Sequence, residues 1–577
     1  MGPLQLALPE KCSRSASRSS THSEKEQLAD SRESRRLEEN LAALASGHPS
    51  LAASVRASAP DPRLVVLSER SGLVVPAVRS GAGAVPLHSL YDPRQEAARL
   101  AESVAGAGVL VVCGLGGGFH IAAMLEDPDV HALIVIEKNA AVLRSLFAQA
   151  SLAPLLADSR VQLVAGIEPV REAVLDVWQP AFMGGMRIVC LRPWRDQETA
   201  FFDAADVEVQ AAIELVRGDY SVQSHFGKRW FTNILMNLGR AETAPQAHSC
   251  GEAAAVTAAG PSLELQLPRL ASVREKMYLV ATDTSLPTLV RSGIRPDAVL
   301  SIDCQNHGYH HFLQGVPTGT SLFLDLASPP VLGRRPAPTM FVASAHPFVR
   351  YIVSHWKWLP AIDTSGGNVT HAAVSLAVSL GARRVEVYGA DFSYPAGKAY
   401  ARGTYLYDHF WADQSRISPA EARFFAFVHG STPAHREVRA RTPVYATTLL
   451  LDYRQRFMAL MDTSEAEIIP VPGAGLSLHR TGMQVREGAA SSRVSPPLRP
   501  DAPAVGWREF LSGYARDMRQ LHAFSKDCSG TARQLWQTLV SVAARVVKEG
   551  FRPGPEAMEE ARRWSLERIQ RVLQPGD

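Results

Sequence analysis

The chain has 577 residues, and its 60 basic and 57 acidic residues nearly cancel, which leaves a formal net charge of +3 at pH 7. This length accommodates roughly three domains, and the charge balance gives no argument for nucleic-acid binding. The six cysteines are scattered, without a CxxC pair or metal-ligand spacing. That pattern indicates buried thiols in a reducing compartment.

The sequence has no apolar run of about 18 residues, the length that spans a membrane, and no hydrophobic signal core at its start. We therefore expect a soluble, cytoplasmic protein. Residues 1–58 open the chain with many Ser, Arg and Glu residues and almost no aromatic ones. This lead-in is predicted to be disordered or weakly structured, either a bland extension or a partner-binding tail.

An amino-terminal Rossmann-like domain is predicted over residues 59–196. It begins with a hairpin-like alternation after Pro62 and continues as a doubly wound pattern. Four apolar segments have the spacing of parallel strands with crossover helices: Val109–Cys113, Ala132–Glu137, Val161–Val164 and Arg187–Leu191.

A glycine-rich turn follows the first of these strands. Gly114, Gly116 and Gly118 match GxGxG, but Phe119 breaks the longer GxGxxG, and Glu137 ends the next strand where an acid could bind ribose hydroxyls. This pattern resembles the adenosylmethionine-binding half of class I methyltransferases, so these glycines and Glu137 form a candidate second nucleotide site. In the alternative interpretation the glycines only permit tight packing of the strand against the helix. This alternative is favoured, because no methyl-acceptor motif follows.

Residues 197–245 are predicted to form a helical connector. Its apolar residues recur at helical spacing and are expected to form an interdomain packing seam: Phe226, Trp230, Ile234 and Leu238. Four polar residues lie off this stripe and face a pocket or, for the two cations, solvent: Lys228, Arg229, Asn233 and Asn237.

A second α/β domain is predicted over residues 246–480. Its first strand begins near Ala253 and runs into Gly260, Pro261 and Ser262. Such a turn is a compact anion cradle, since glycine lets a phosphate or ribose approach the backbone, proline suits the first helical turn and serine offers a hydroxyl.

The last unit of this domain is Thr364–Phe392, which has the pattern of a loop, a helix, a strand and an acid. The Ser365–Asn368 amides at the helix start favour an anion, and Gly381 suits the helix end. Val385–Tyr388 forms a short strand, and Asp391 stands just beyond it. In open α/β sheets this edge is where ligands bind.

Polar residues follow the predicted strands of the second domain repeatedly. Each one alone fits a helix cap, but the set argues for a ligand cleft at the edge where the strands end. The set is Ser262, Asp283, Thr284, Asp303, Gln305, Asp325, Ser344, Ser365, Asn368 and Asp391.

An ordered series of motifs in this domain resembles the motility accessory factor (Maf) family of flagellin glycosyltransferases, whose core is shared with MptE-like proteins. The motifs are AAGPSLE, ATDTSLPTLVRSGIRPDAVLSIDCQ, FLDLASPP, DTSGGNVTHAAVSLAVSLGARRVEVYGADFSY and GKAYARGTY. The resemblance is strong over Ala253–Tyr407, and looser in the connector and in the amino-terminal domain.

The resemblance implies two Rossmann-like doubly wound domains, the second sialyltransferase-like, followed by a helical carboxyl-terminal region. It implies transfer of a nonulosonic acid, of the pseudaminic or legionaminic type, from its CMP-activated form to Ser or Thr of flagellin. That activity serves flagellar assembly and motility. The CMP-sugar is a substrate, no cofactor is required, and no nucleic-acid or membrane partner is expected.

Carried over by position, the resemblance assigns residues to donor binding and catalysis. It places Gly260, Pro261 and Ser262 against the CMP phosphate or ribose, and Ser365, Gly366 and Gly367 on the opposite side of the nucleotide. Further donor-binding candidates come from the position or chemistry of the residues themselves: Thr284, Gln305, Thr364, Asn368, Asp391, Arg402 and Tyr405. For Asp391, a structural role at the end of its strand is favoured over donor binding. Asp283 and Asp303 bind the donor or activate the acceptor, and His409 is an available base. Tyr400 stands where the family often has a histidine, which leaves the general base open.

A histidine cluster and two other functions remain as alternatives. His307, His310 and His311 could bind a metal, but a polar active-site loop is preferred, and a divalent cation paired with Asp303 stays open. One alternative function is a 6-hydroxymethylpterin pyrophosphokinase that uses ATP and Mg²⁺. The other is a non-enzymatic flagellar accessory or chaperone protein.

The end of the chain is predicted to be a linker and a helical domain. Residues 481–505 are proline-rich, as in an extended linker, and residues 506–577 are predicted to be helical. Three segments show helical apolar spacing: Trp507–Phe524, Thr531–Lys548 and Glu556–Leu573. This bundle either packs on the core or recognises the acceptor.

Overall fold

The computed structural model describes residues 16–68, 73–81, 83–412, 414–430, 434–439, 442–478, 505–522 and 530–574. The chain falls into two compact units, Met1–Val222 with Arg552–Gly554, and Gln223–Phe551 with Pro555–Asp577. Each unit contains a parallel α/β sheet, and the chain ends in helices, so the predicted fold class is confirmed.

The first unit contains an antiparallel and a parallel sheet. Its strands are β1 (Leu64–Ser68), β2 (Val74–Ser80), β3 (Gly83–Pro86), β4 (Val109–Cys113), β5 (Ala132–Glu137), β6 (Val161–Ala165) and β7 (Met186–Cys190). Strands β1 to β3 pair antiparallel in sequence order, and the parallel sheet has the order β6-β5-β4-β7. Every residue of β4 and β5 is buried, because core clusters lie on both faces of this sheet.

Helices cover the strands of the first unit, and a long one leads out of it. They are α1 (Ala16–Gly47), α2 (Pro49–Ala57), α3 (Pro93–Glu102), α4 (Phe119–Leu125), α5 (Ala140–Gln149), α6 (Ala153–Leu156), α7 (Val170–Val177), α8 (Pro180–Met183), α9 (Arg192–Gln197) and α10 (Thr199–Thr243). Helix α10 is the predicted connector.

Over residues 16–57 the structure differs from the weakly structured lead-in predicted for residues 1–58, of which residues 1–15 lie outside the described residues. Leu41, Leu44 and Val55 of α1 and α2 are fully buried in the core of the first unit. The Asn40 amide donates hydrogen bonds of 2.8 Å to the carbonyls of Phe147 and Ala150. The Ser- and Arg-rich composition concealed this helix, because its apolar stripe begins only after the charged segment.

The second unit is built on a seven-stranded parallel sheet. The strands of the whole unit are β8 (Ala253–Thr257), β9 (Tyr278–Thr282), β10 (Ala298–Ser301), β11 (Ser321–Asp325), β12 (Thr339–Val342), β13 (Arg384–Tyr388), β14 (Tyr394–Pro395), β15 (Ala434–Arg439), β16 (Thr442–Thr447) and β17 (Glu467–Pro470). The parallel sheet has the order β12-β11-β10-β9-β8-β13-β17, while β14, β16 and β15 form a small antiparallel sheet. The strand order reverses between β8 and β13, and such a switch point opens a crevice at the carboxyl ends of the strands.

The helices of the second unit include a carboxyl-terminal group. They are α11 (Ser262–Val273), α12 (Leu286–Arg291), α13 (Pro347–His355), α14 (Val369–Ser379), α15 (Tyr405–Ala412), α16 (Ala420–His429), α17 (Thr448–Thr463), α18 (Trp507–Gln520), α19 (Gly530–Thr538), α20 (Val540–Lys548) and α21 (Pro555–Leu573). The predicted helix Thr531–Lys548 is divided into α19 and α20. The proline-rich linker predicted before α18 lies outside the described residues, apart from Val505.

The second half of α10 packs inside the second unit. Ile234 and Leu238 of the predicted apolar stripe are fully buried, whereas Phe226 and Trp230 are half-buried. Phe231, outside that stripe, stacks on Phe348 with ring centroids 4.7 Å apart. Among the described helices, none combines the length and apolarity that a membrane crossing requires.

Replacing Gly227 by Ala is expected to lower the free energy of unfolding. A Cβ at Gly227 would lie 1.7 Å from the Ser541 carbonyl oxygen of α20, so the two helices would have to separate, and such overpacking costs about 1–3 kcal/mol. Gly218 is the control, because it lies on the same helix and a Cβ there would have no neighbour within 4 Å. There Ala should stabilise by about 0.5–1 kcal/mol. Urea unfolding measures both, and equal effects would contradict the close packing.

Candidate functional site

The strands of the seven-stranded sheet end at one edge, which we call the carboxyl edge. The polar residues predicted from the sequence end or follow β8, β9, β10, β11, β12 and β13 there. The loop before α14 lies at the same edge, because α14 runs back from it to the start of β13. The topology therefore gathers the predicted set on one side of the second unit.

Asp391 binds the Gly260–Ser262 turn at the switch point. Its Oδ2 accepts a 2.8 Å hydrogen bond from the Ser262 amide, and its Oδ1 accepts a 2.5 Å bond from the Ser262 hydroxyl. Both residues are buried. Burial raises the pKa of Asp391, and the two bonds from Ser262 oppose that shift. The carboxylate thus occupies the helix start where an anion was predicted to bind.

A segment after β17 covers this contact. The Ala474 amide donates to the Ser262 hydroxyl at 2.7 Å. A Cβ at Gly473 would lie 2.4 Å from the Ser262 Oγ, and one at Gly475 would lie 2.5 Å from the Asp391 Cα. In this structure the chain itself therefore fills the crevice and uses the donors of Ser262. The anion-binding role predicted for Gly260, Pro261 and Ser262 stays a prediction.

Asp283 is a buried acid with both oxygens engaged. Its Oδ1 accepts from the Thr284 amide at 2.7 Å and from the Thr284 hydroxyl at 3.0 Å, and its Oδ2 accepts from the Ser301 hydroxyl at 2.7 Å. The side chain is 4% exposed. Because its oxygens are committed to hydrogen bonds, Asp283 is suited to hold Thr284 and to set the local charge.

Asp303 reaches the surface of the carboxyl edge, next to Asp283. Its Oδ1 accepts a 2.8 Å hydrogen bond from the Gln305 amide. Partial loss of hydration raises the pKa of Asp303, the negative charge of Asp283 adds to the shift, and the bond from Gln305 opposes it. An exposed carboxylate with a raised pKa is suited to accept a proton.

The Thr364–Asn368 loop is fixed by its surroundings. The Asn368 side chain accepts from the His371 amide at 3.0 Å and so caps α14. A Cβ at Gly366 would lie 2.2 Å from the His371 ring, so the loop requires glycine there. The Arg456 guanidinium donates to the Ser365 carbonyl at 2.7 Å. The Ser365 side chain itself is exposed.

Sequence reasoning missed the Asp363–His371 pair beneath this loop. The His371 Nε2 lies 2.9 Å from the Asp363 Oδ2, and the Ser365 amide donates to the Asp363 Oδ1 at 2.8 Å. Burial would raise the pKa of Asp363, but the bonds from His371 and Ser365 outweigh it and lower that pKa. The sequence could have indicated this pair, because the Asp, Ser and His of DTSGGNVTH lie in one short segment.

The segment that carries Arg402, Tyr405 and His409 lies over the carboxyl edge. The Arg402 amide donates to the Glu264 carboxylate at 2.5 Å, and its carbonyl accepts from the Thr288 hydroxyl at 2.8 Å. The Tyr405 ring stacks on that of His310 at 4.5 Å and on that of His409 at 5.9 Å. Arg402 and His409 are exposed. The segment therefore joins the ends of β8, β9 and β10 in one region.

The histidine cluster in this region shows no sign of a metal site. His307 and His310 have ring centroids 6.1 Å apart. Among the described residues, no group of three or more His, Cys, Asp or Glu side chains is placed to hold a metal ion. The expectation that the reaction needs no metal stays a prediction.

Two asparagines of α10 hold the loops that follow β10 and β11, a role the sequence did not reveal. The Asn233 amide donates to the carbonyls of Cys304 at 3.1 Å and Ala327 at 2.8 Å. The Asn237 amide donates to the carbonyls of Leu326 and Ser328, both at 2.9 Å. An i, i+4 spacing places both on one helix face. Asn233 thereby fixes the residue next to Asp303.

The glycine turn of the first unit is filled by the chain's own side chains. A Cβ at Gly114 would lie 2.9 Å from Trp194, and one at Gly116 would lie 2.5 Å from the His88 Nε2. That nitrogen accepts a 2.8 Å bond from the Gly117 amide. Burial lowers the pKa of His88 to about 3, so the ring is neutral at physiological pH.

Glu137 is likewise committed inside the first unit. It is fully buried and accepts hydrogen bonds from the Leu115 amide at 3.0 Å, the Lys138 amide at 2.8 Å and the Trp194 indole at 2.8 Å. In this structure the chain's own groups use the Glu137 carboxylate, as in the packing interpretation favoured from the sequence. A second nucleotide site at Gly114, Gly116, Gly118 and Glu137 stays a prediction.

Comparisons with known proteins agree with this architecture. Residues 228–397 match the family described as 6-hydroxymethylpterin diphosphokinase MptE-like. The MAf glycosyltransferase from Magnetospirillum magneticum AMB-1 has a similar structure, with a TM-score of 0.54 and 13% identity over 94% of this chain and 95% of that chain. The chain thus contains an MptE-like domain and shares the fold of the Maf glycosyltransferase. The resemblance predicted from the motifs is confirmed.

Two uncharacterized proteins of Treponema pallidum (strain Nichols) are similar to parts of the chain. One is 32% identical over 146 residues, which are 24% of this chain and 67% of the relative. The other is 39% identical over 118 residues, which are 20% of this chain and 41% of the relative. The chain thus matches less than half of the second relative's length.

Replacing Asn233 by Ala is expected to loosen the loop that carries Asp303. The carbonyls of Cys304 and Ala327 would lose their buried donor, which costs about 1–3 kcal/mol. Hydrogen exchange should then speed up at the amides of residues 303–307. Met236, 43% exposed on the same helix, is the control, and its change to Ala should leave this exchange unaltered. Unchanged protection in Asn233→Ala would contradict the anchoring role.

Proposed function

We propose that this chain is a glycosyltransferase that moves a nonulosonic acid, of the pseudaminic or legionaminic type, from its CMP-activated form to Ser or Thr of flagellin. In this proposal the activity serves flagellar assembly and motility. The proposal is supported by the likeness of nearly the whole chain to a structure named as a Maf glycosyltransferase. The observation that carries it is an exposed Asp303 with a raised pKa at the carboxyl edge that also holds the Thr364–Asn368 loop.

The transfer requires two things of the site. The bond between the sugar and the CMP phosphate breaks through a transition state of oxocarbenium character, so the departing phosphate needs hydrogen-bond donors. The attacking hydroxyl forms the new bond to the sugar and gives up its proton to a base. The carboxyl edge must therefore provide hydrogen-bond donors for the phosphate and a base for the attacking hydroxyl.

Asp303 is the base in this proposal. It is exposed, whereas Asp283 is buried with both oxygens engaged. Asp283 acts through its charge, which helps to keep the pKa of Asp303 above the ordinary range of aspartate. His409, exposed and stacked near Tyr405, is the second candidate for the base.

The nucleotide is proposed to bind between the ends of β9 and β10 and the Thr364–Asn368 loop. The donors of Ser262 are already used by Asp391, so the phosphate is assigned to the loop and to Arg402 instead. The Ser365 hydroxyl and the Arg402 guanidinium are both exposed at this edge. The loop is held in place before any ligand arrives, which lowers the entropy cost of binding.

The description of the matching family favours a second candidate function, a pterin diphosphokinase that would use ATP and Mg²⁺. The two chemistries differ in their nucleotide, so thermal melting with CMP and with ATP separates them. Stabilisation by CMP supports the transferase. Stabilisation by ATP alone would contradict it, and no response to either would favour a non-enzymatic accessory role.

The changes Asp303→Ala and Ser365→Ala are each expected to abolish flagellin glycosylation without unfolding the chain. Loss of a general base lowers rates by about 10²–10⁴-fold. Loss of the Ser365 hydroxyl removes a proposed hydrogen-bond donor to the departing phosphate. Mass spectrometry of flagellin incubated with the enzyme and a CMP-nonulosonic acid measures the transfer.

Matched controls for these variants lie in the same unit but away from the carboxyl edge. Ser379→Ala changes the other end of α14, and Glu275→Ala changes an exposed acid before the start of β9. Both should glycosylate normally. Modified flagellin from Asp303→Ala or Ser365→Ala would argue against the assigned site.

The pH dependence of the transfer should follow Asp303. A base works when deprotonated, so kcat/KM should fall as the pH drops through its raised pKa, above the aspartate range near about 3.9. Asp283→Asn removes the neighbouring negative charge and should move this acid limb to lower pH, whatever its effect on the maximum rate. A limb that stays in place would show that another group titrates.

A further inference from the structure

Two cysteines of the first unit lie side by side on neighbouring parallel strands. Cys113 ends β4 and Cys190 ends β7, and the register pairs their Cα positions directly. Adjacent strands lie about 4.8 Å apart, within the range of Cα separations that a disulfide spans. Both thiols are free, and each one shifts the pKa of the other.

The two thiols have unequal surroundings. Cys113 is fully buried, whereas Cys190 is half-buried and its sulfur lies 3.1 Å from the Arg195 Nη1. Arg195 is itself held by Asp203 at 3.1 Å and Asp206 at 2.7 Å. The pair is therefore a buried thiol next to a partly accessible one that faces a cation.

This arrangement stabilises the thiolate of Cys190. The hydrogen bond from Cys113 lowers the pKa of Cys190 to about 6, burial opposes that shift, Arg195 adds to it and the charge of Asp206 opposes it. The same contact and burial raise the pKa of Cys113. A thiolate is the nucleophilic form of cysteine, so Cys190 is the thiol prepared to react.

We propose that Cys113 and Cys190 form a thiol-oxidation site, in which Cys190 reacts with hydrogen peroxide and Cys113 then closes a disulfide. The Cys190 thiolate attacks one peroxide oxygen, the O–O bond breaks and hydroxide leaves, which gives a sulfenic acid. The Cys113 sulfur loses its proton and attacks the Cys190 sulfur, the S–O bond breaks and water leaves. Two thiols are oxidised to a disulfide, and the peroxide is reduced to water.

Two other cysteines provide internal controls. Cys250 and Cys304 are buried in the second unit. Burial raises the pKa of Cys250 to about 11 and that of Cys304 to about 12. Both therefore stay protonated at neutral pH and should resist the same oxidant.

The experiment uses the full chain with Cys12→Ser and Cys528→Ser, so that only the four described cysteines remain. The protein is treated with hydrogen peroxide, its remaining thiols are alkylated, and a non-reducing digest is analysed by mass spectrometry. The expected product is a Cys113–Cys190 cross-linked peptide that has lost two hydrogens and is restored by dithiothreitol. Cys250 and Cys304 should be alkylated only after the chain is unfolded. This test does not depend on the glycosyltransferase activity.

Variants separate the proposed chemistry from simple proximity. Cys113→Ser should leave Cys190 as a sulfenic acid that dimedone traps. Arg195→Gln should slow the loss of the Cys190 thiol at pH 7 roughly tenfold, because the thiolate fraction falls, and Arg195→Lys should retain the fast rate. Arg192→Gln, an exposed change on the same helix, is the control and should react like the parent.

Two results would overturn the proposal. One is a Cys190 that reacts no faster than Cys250 and Cys304 in the folded protein. The other is an equal rate for Arg195→Gln and Arg192→Gln. A variant that unfolds is recognised because all of its cysteines are alkylated at one rate, and the Arg195→Lys variant then decides the role of the charge.

Discussion

The bond between Asp391 and Ser262 determines how the second unit is arranged at the switch point of its sheet. It joins the end of β13 to the start of the helix after β8, the two strands between which the sheet order reverses. Charge-assisted hydrogen bonds of this kind are about twice as strong as neutral ones, and a carboxylate also suits the positive end of a helix. The segment with Gly473 and Gly475 covers the pair and keeps it buried.

Because this crevice is filled, our proposal places the ligand on the other side of the carboxyl edge. There the acids after β9 and β10 lie near the segment of Arg402 and Tyr405, and the Thr364–Asn368 loop is shaped by His371 and Arg456. The anchor of the Asp303 loop comes from Asn233 of α10. A distant helix thus decides where the proposed base stands.

Much of this could be predicted from the sequence, and the failures have physical reasons. Strand ends and the cap of α14 by Asn368 follow from local patterns, so the sheet and its polar edge were predictable. In contrast, the group to which a polar side chain is hydrogen-bonded can lie far away in the sequence, so local patterns do not reveal it. Glu137 and Asp391 stand at strand ends just as ligand-binding acids do. However, the Glu137 carboxylate accepts hydrogen bonds from Leu115 and Trp194, and the Asp391 carboxylate accepts one from Ser262. Asn233 and Asn237 gave no signal beyond their spacing within an apolar helix.

The most direct test of this account is a crystal structure of the full chain with CMP bound. The account predicts that the nucleotide phosphate lies within hydrogen-bond distance of the Thr364–Asn368 loop, close to Asp303, while the Ser262–Asp391 bonds stay intact. A phosphate bound to the Ser262 amide, with Asp391 displaced from the turn, would contradict it.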